Sequence, residues 1–161
     1  MAIGTTFNHG FGTADSGHVR VFEFDSSTWV QVGAGINVDS GRGSGVSNTG
    51  SLVSLSAGGN RVAIGSIGKD MNRVHVFEYS SSSWNQLGSS VTGDLSNDNP
   101  FFMTLSPAGN HFAFGAYVNN GGRGRLRVYE FRKNNWVHTG PDIDGFVDGD
   151  NNGISASFSY N

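Results

Sequence analysis

The hydrophobic positions of this chain fall into short runs that recur along its length, separated by turns rich in glycine, asparagine and serine. One unit can be followed completely, with strand-like runs at 51–56, 61–65, 74–79 and 84–88. The second and third runs are apolar nearly throughout, which is typical of strands covered on both faces. No apolar stripe of period 3.6 is present. The pattern predicts an all-β chain of four-stranded units, whose strands are denoted a to d here.

The unit is repeated three times. The tryptophans that start strand d recur at spacings of 55 and 52 residues, and a glycine follows each by four residues. These positions are Trp29, Trp84 and Trp136, with Gly33, Gly88 and Gly140. The predicted repeats cover 1–51, 52–101 and 102–153 of a single domain, 1–161. Residues 1–4 match strand b and residues 154–161 match strand a, so we expect them to form one split unit.

Composition narrows the functional classes. The chain has 25 glycines, 3 prolines and only 14% charged residues, a balance that favours short strands joined by turns. It has no cysteine, which excludes disulfides and thiolate chemistry. The net charge of −3 and the scattered arginines give no basic footprint for nucleic acid. No run is apolar and long enough for membrane insertion, and the localisation is left open.

Several segments resemble the FG-GAP-type repeats of integrin-α-like β-propellers. They are the runs LSAGGNRVAIG at 55–65, RVHVFEY at 73–79, WNQLG at 84–88 and DIDG at 142–145. The resemblance implies a β-propeller in which each repeat supplies one four-stranded blade. The calcium loop of that family lies between strands a and b, where this chain has the short turns 57–60 and 107–110. The resemblance therefore gives no reason to place calcium at those turns.

Three blades are too few to close a ring, because propellers contain about four to eight blades. We therefore predict a six-bladed ring formed by a homodimer. The C-terminal strand of each copy would complete the split blade of the other, which removes the open sheet edges. The alternative is a β-trefoil, which also contains three four-stranded units and closes as a monomer.

Candidate ligand contacts lie in the loops between strands b and c. These loops differ in length and sequence between repeats, and binding residues concentrate in variable loops held by a rigid scaffold. The alternative is that the loops vary because nothing constrains them. The predicted ligand-binding residues, for a glycan or protein ligand, are His9, Asp15, Lys69, Asp70, Tyr117 and Asn119.

An acidic segment near the C-terminus is the candidate metal site. Asp148, Asp150 and Asn152 are spaced as at the start of an EF-type loop, and their oxygens suit Ca²⁺. The bidentate acid expected later in such a loop is missing, because 154–158 has a strand pattern. A solvated acidic turn is the alternative, and no other cofactor is predicted.

The remaining polar residues are interpreted as structural because they recur in every repeat. The only glutamates, Glu23, Glu78 and Glu130, occupy one position of strand c, where an ion pair such as that with Arg61 is expected. The tryptophans are expected to pack between blades. His138 matches glutamine in the other two repeats, so it is placed among positions that accept any polar group, and no catalytic set is found.

The sequence therefore predicts a non-enzymatic β-propeller module that binds a glycan or protein ligand or serves as a scaffold. Two alternatives remain. One is a hydrolase or lyase with its site at the mouth of the central channel. The other is an engineered or fragmentary half-propeller that assembles with itself and has no ligand.

Overall fold

The computed structural model describes residues 1–6, 17–38, 48–67, 73–92, 100–116, 122–153 and 155–160. Its strands, β1 to β13, form three antiparallel sheets, so the predicted all-β class is confirmed. Within the described ranges the strands form neither a closed barrel nor a closed ring. The six-bladed homodimer therefore stays a prediction, and the trefoil alternative lacks the closed barrel that would support it.

The first sheet has three strands. They are β1 (Ala2–Thr5), β2 (His18–Phe24) and β3 (Trp29–Gln31), in that order across the sheet. Ala2 lies opposite Val21, and Phe24 lies opposite Trp29. Among the residues that the structure describes, β1 pairs with β2 alone, so its other edge is open. Strands b, c and d of the first repeat are thus together, without a strand a.

The second and third sheets each contain all four long strands in chain order. In the second sheet they are β4 (Asn48–Leu55), β5 (Arg61–Ile67), β6 (Arg73–Ser80) and β7 (Ser83–Gln86). In the third they are β9 (Pro100–Leu105), β10 (His111–Ala116), β11 (Arg125–Arg132) and β12 (Asn135–His138). Two-residue strands, β8 (Val91–Thr92) and β13 (Ile143–Asp144), pair with β6 and β11 respectively.

The turns between the first two long strands are built identically in both complete sheets. The Ser56 hydroxyl accepts the N–H of Arg61, and the Ser106 hydroxyl accepts the N–H of His111. Gly59 and Gly109 have φ angles of 71° and 70°, a region that glycine enters without steric cost. The short turns predicted from the sequence therefore connect these strands as tight hairpins.

The sheets pack face to face through two apolar clusters. One joins the first and second sheets, with Val19 and Ile64 at its centre, both 0% exposed. The other joins the second and third sheets and includes Val76, Phe112 and Trp136. Because β4, β5 and β6 each contribute side chains to both clusters, the inner strands β5 and β6 are apolar nearly throughout.

The C-terminal residues 155–160 carry no strand assignment, although the sequence predicts a strand a there. The split unit formed with residues 1–4 and the three repeat boundaries stay predictions. The predicted ion pair is present, since Arg61 Nε donates to Glu78 Oε1 at 2.9 Å. In the ranges covered by the structure, no helix has the length and apolar character needed to span a membrane.

Candidate functional site

The six predicted ligand-binding residues, His9, Asp15, Lys69, Asp70, Tyr117 and Asn119, all lie outside the described residues. Their role stays a prediction. The described residues that flank these loops belong to the ends of strands b and c, and one such end, the start of β11, carries the site described below.

The predicted calcium ligands are engaged in turn formation. Asp148 Oδ1 accepts the Nε–H of Arg123 at 2.7 Å, and Asp150 Oδ2 accepts the backbone N–H groups of Phe146 and Val147 at 2.7 and 3.0 Å. The Asn152 amide donates to a backbone carbonyl. Within the described ranges, no three His, Asp or Glu side chains gather in a metal-binding arrangement. The calcium site stays a prediction, and the geometry favours the acidic-turn alternative.

A ladder of arginine–aspartate pairs runs along the start of β11. Arg125 pairs with Asp144 at 2.6 Å and with Asp142 at 3.1 Å. Arg127, which is buried, donates from Nε to Asp142 at 3.0 Å. The ladder lies where the connection after β12 folds back beside β11 through β13. This return brings acidic residues of the connection onto the basic side chains of the strand.

His138 joins this ladder at the end of β12. Its Nε2 lies 3.1 Å from Asp142 Oδ1, and its ring lies 5.3 Å from the ring of Tyr129 at 45°. The His138 side chain is 39% exposed, whereas that of Asp142 is 21% exposed. Together with Arg127, these residues line an open cavity of about 520 Å³. The cavity therefore holds a histidine that is accessible to solvent and paired with a carboxylate.

The electrostatics of the ladder are dominated by the ion pairs. The hydrogen bond from Arg125 lowers the pKa of Asp144, and the same bond raises the pKa of Arg125. The ladder and the adjoining turn contain three arginines and four aspartates. They are Arg123, Arg125 and Arg127, with Asp142, Asp144, Asp148 and Asp150. The three arginines and four aspartates together carry one net negative charge, His138 not being counted. The site therefore has no surplus positive charge for a phosphate group.

A pair of one carboxylate and one accessible histidine can perform general acid–base chemistry. The carboxylate accepts the N–H of one ring nitrogen, which fixes the tautomer and leaves the lone pair on the other. Such a histidine can take a proton from water and return it to a leaving group. Arg127, which lines the same cavity and pairs with Asp142, supplies positive charge beside the histidine–carboxylate pair.

His138 was missed by sequence reasoning because its position matches glutamine in the other repeats. Those glutamines, Gln31 and Gln86, each donate to the carbonyl of the glycine two residues later, at 2.9 and 3.0 Å. In the third repeat histidine replaces glutamine, and Asp142 follows four residues later. The usable signal was this departure from the repeat combined with the nearby acid.

Comparison with known proteins gives a fold-level match. No protein-family model matches the chain, and no curated protein matches it. A solved structure from Bacteroides uniformis, described as a proposed 6-phosphogluconolactonase, matches with a TM-score of 0.51 and 12% identity over 78% of this chain. The match covers 34% of that structure's chain, so this chain spans about a third of its length. At this identity the likeness establishes the fold alone.

This match corrects the functional prediction. The sequence predicted a binding or scaffold module that is not an enzyme, whereas the structure matched over most of the chain carries an enzyme's description. The non-enzymatic prediction is therefore wrong on this comparison. It relied on the regularity of the repeats, which hid the position where His138 and Asp142 meet.

Proposed function

We propose that this chain is a hydrolase that opens an uncharged lactone or ester, with His138 as the general base. The observation that carries the proposal is the 3.1 Å contact between His138 Nε2 and Asp142 Oδ1 in an open cavity. Asp142 is itself held by Arg125 and Arg127, so it is fixed in place as a partner for the imidazole.

The reaction follows from this geometry. Asp142 accepts the Nε2–H of His138, and Nδ1 takes a proton from a water molecule. The resulting hydroxide attacks the carbonyl carbon of the lactone, and the carbonyl electrons move onto oxygen to form a tetrahedral oxyanion. The guanidinium of Arg127 stabilises that negative charge. When the carbonyl re-forms, the ring C–O bond breaks, and the alkoxide takes the proton back from His138.

The charge of the site supports an uncharged substrate. Because the arginines are matched by aspartates, a phosphorylated sugar would meet one net negative charge instead of a cationic pocket. The solved structure that resembles this chain is described as acting on a phosphorylated lactone. We therefore propose that this chain shares the lactone-opening reaction class but acts on a substrate without the phosphate.

The location differs from the enzymatic alternative derived from the sequence. That alternative placed the site at the mouth of a central channel, which the first strand of each sheet would line. Arg127 and His138 lie on the third and fourth strands of the third sheet, β11 and β12 respectively. The proposed site is therefore toward the outer part of the sheet, on the side of the predicted variable loops.

For the assembly, we propose that each sheet is one propeller blade and that two copies form a six-bladed ring. The face-to-face packing of the three antiparallel sheets supports blades, and so does the resemblance of the repeats to the FG-GAP family. The open edge of β1 and the unassigned segment 155–160 support the exchange of a strand between copies. A strand added at this edge would give the first sheet its fourth strand.

The test is the replacement His138→Gln. Glutamine occupies the matching position of the other two repeats, so the fold accepts it. We expect hydrolysis of gluconolactone and of an uncharged aryl ester, with kcat/KM reduced by about 10²- to 10⁴-fold in the variant. The phosphorylated lactone should be the poorer substrate of the wild-type chain.

The matched control is His111→Gln, at the first residue of β10, because His111 does not line the cavity. It should retain the wild-type rate. Loss of activity in both variants would indicate a general effect on the fold. Full activity of His138→Gln, or an inert wild-type chain on both uncharged substrates, would overturn the proposed function.

A further inference from the structure

Each sheet carries a pair of aromatic side chains on its c and d strands, in nearly one geometry. The ring centroids lie 5.1 to 5.2 Å apart, and the ring planes are inclined by 49° to 52°. The pairs are Phe24–Trp29, Tyr79–Trp84 and Phe131–Trp136. Because the geometry is the same in all three sheets, each pair is set by its own sheet before it meets a neighbour.

Two of these pairs dock on the preceding sheet in the same way. The indole N–H of Trp84 donates to the carbonyl of Val32 at 2.8 Å, and that of Trp136 donates to the carbonyl of Leu87 at 2.7 Å. A glycine with positive φ follows each of these carbonyls. We call each carbonyl and its glycine a socket; the three sockets are 32–33, 87–88 and 139–140.

The glycines of the two filled sockets make room for the rings. A side-chain carbon added at Gly33 would lie 2.9 Å from Tyr79 Cε2 and 3.1 Å from Trp84 Cδ1. One added at Gly88 would lie 3.2 Å from both Phe131 Cε2 and Trp136 Cδ1. Any side chain at these positions would therefore push against the docked aromatic pair.

Among the described residues, the Phe24–Trp29 pair has no socket to dock in, and the 139–140 socket has no aromatic pair docked in it. Phe24 and Trp29 are 53% and 51% exposed, whereas Trp136 is 6% exposed. Gly140 has a φ of 73°, as Gly88 does, but nothing lies within 4 Å of a carbon added there. The backbone N–H of Thr139 donates to the carbonyl of Val128, just as the N–H of Leu87 in the second socket donates to the carbonyl of Val76. The third socket is thus preformed and open.

The apolar surface around the Phe24–Trp29 pair is exposed as well, although its equivalents in the other two sheets are buried. Ile3 is 41% exposed, while the matching residues of the next two sheets, Ile64 and Phe114, are 0% and 5% exposed. The face that is covered by the preceding sheet in the second and third repeats is therefore uncovered in the first. Exposed apolar side chains that continue a repeated buried interface mark a contact surface.

We propose that a second copy of this chain covers this face, with the Phe24–Trp29 pair of each copy inserted into the 139–140 socket of the other. The Trp29 indole N–H donates to the Thr139 carbonyl, as its equivalents do within the chain. A head-to-tail contact of this kind must close to avoid filaments. Two copies give six sheets, within the range of known rings, and three would give nine. The number of copies, two, is taken from the assembly proposed above. The contact between the aromatic pair and the socket does not depend on that assembly.

The experiment measures mass in solution by light scattering and sedimentation. The wild-type chain of 17.0 kDa should form a species of twice that mass. Trp29→Ser and Gly140→Asn should each shift it to the monomer, because asparagine tolerates positive φ but fills the socket. The controls are Val30→Ser, an exposed neighbour on the same strand, and Gly149→Asn, at a φ of 89° with nothing within 4 Å. Both should remain dimeric.

Mixing the two interface variants gives the sharper result. A Trp29→Ser copy keeps its socket, and a Gly140→Asn copy keeps its aromatic pair, so a mixed dimer has one intact interface. We expect the mixture to dimerise more tightly than either variant alone, which general destabilisation would not produce. A monomeric wild-type chain would overturn the inference, as further sheets of a longer chain would then be the natural cover. Dimeric Trp29→Ser would overturn it in favour of strand exchange alone, and neither readout depends on hydrolysis.

Discussion

At the scale of single residues, His75 shows how burial sets charge in this fold. It lies on β6 and is 5% exposed, while the matching positions of the other repeats hold Arg20 and Arg127. Burial is the main reason that the pKa of His75 is lowered, and the charge of Arg73 lowers it further. The folded chain therefore favours the neutral form of this histidine more than the unfolded chain does.

We expect the free energy of unfolding to fall as the pH drops below about 6.5, the ordinary pKa of histidine. In that window the unfolded chain binds a proton at His75 that the folded chain does not, so acid favours unfolding. The loss should continue through the lowered pKa of the folded state, by at most about 1.4 kcal/mol per pH unit. Urea titrations between pH 8 and pH 5 measure it.

The variant for this experiment is His75→Gln, which cannot take up the proton. His18, whose pKa is also lowered, mainly by burial, remains in the variant, so the slope should be reduced and not abolished. The double variant His18→Gln/His75→Gln should flatten the dependence between pH 6.5 and pH 5. An unchanged slope in the double variant would show that other groups control acid stability.

Sequence reasoning succeeded at residues whose role repeats and failed where a repeat is broken. Trp84 and Glu78 were interpreted as structural, and both have the expected type of partner, a neighbouring sheet and Arg61. His138 was dismissed because its equivalents are glutamines. Its partner Asp142 reaches it only through the fold of the connection after β12, and spacing alone does not specify that return.

At the scale of elements, close approach between strands depends on glycine. Gly115 on β10 faces the backbone of Gly153, and Gly4 on β1 faces that of Gly50 in the same manner. In each case a side-chain carbon would overlap a backbone carbonyl oxygen, which cannot move aside as a flexible side chain can. These glycines therefore let a neighbouring backbone segment pass directly against the strand, an inner strand at Gly115 and an edge strand at Gly4.

We expect Gly115→Ala to destabilise the fold by about 1–3 kcal/mol, the usual cost of overpacking a well-packed site. The matched control is Gly35→Ala, whose nearest neighbours would lie 3.8 and 3.9 Å away at an ordinary backbone conformation. It should be neutral or stabilising by up to about 1 kcal/mol. Thermal and urea unfolding measure the stability of both variants relative to the wild-type chain. If Gly115→Ala is as stable as Gly35→Ala, the close approach of Gly115 and Gly153 is contradicted.

The order of strands within each sheet could be predicted because hairpin turns and apolar runs alternate regularly. The sheet β4–β5–β6–β7 has the predicted a-b-c-d order. The short strands β8 and β13 were not predicted. They arise because a glycine with positive φ, Gly88 or Gly140, ends strand d and lets the chain return to strand c, a backbone event with no apolar period of its own.

At the scale of the whole molecule, the second and third sheets share one strand order, and the three sheets differ in what covers their faces. The second is covered on both faces, whereas the first and third each leave one face without a neighbouring sheet in the described chain. The number of repeats could be counted from the sequence. How their outer faces are covered could not, because the same residues are buried in one repeat and exposed in another.

The strand proposed to be exchanged can be tested by removing residues 155–161. Among the strands described, β1 has one neighbour, so the shortened chain should lose the two-copy species and aggregate through the free β1 edge. A synthetic peptide of these residues should restore solubility by pairing with β1, and a scrambled peptide of equal composition should not. Gel filtration with and without peptide measures both effects. If the shortened chain keeps twice the monomer mass, the strand is not exchanged, and the aromatic pair and its socket hold the copies together unaided.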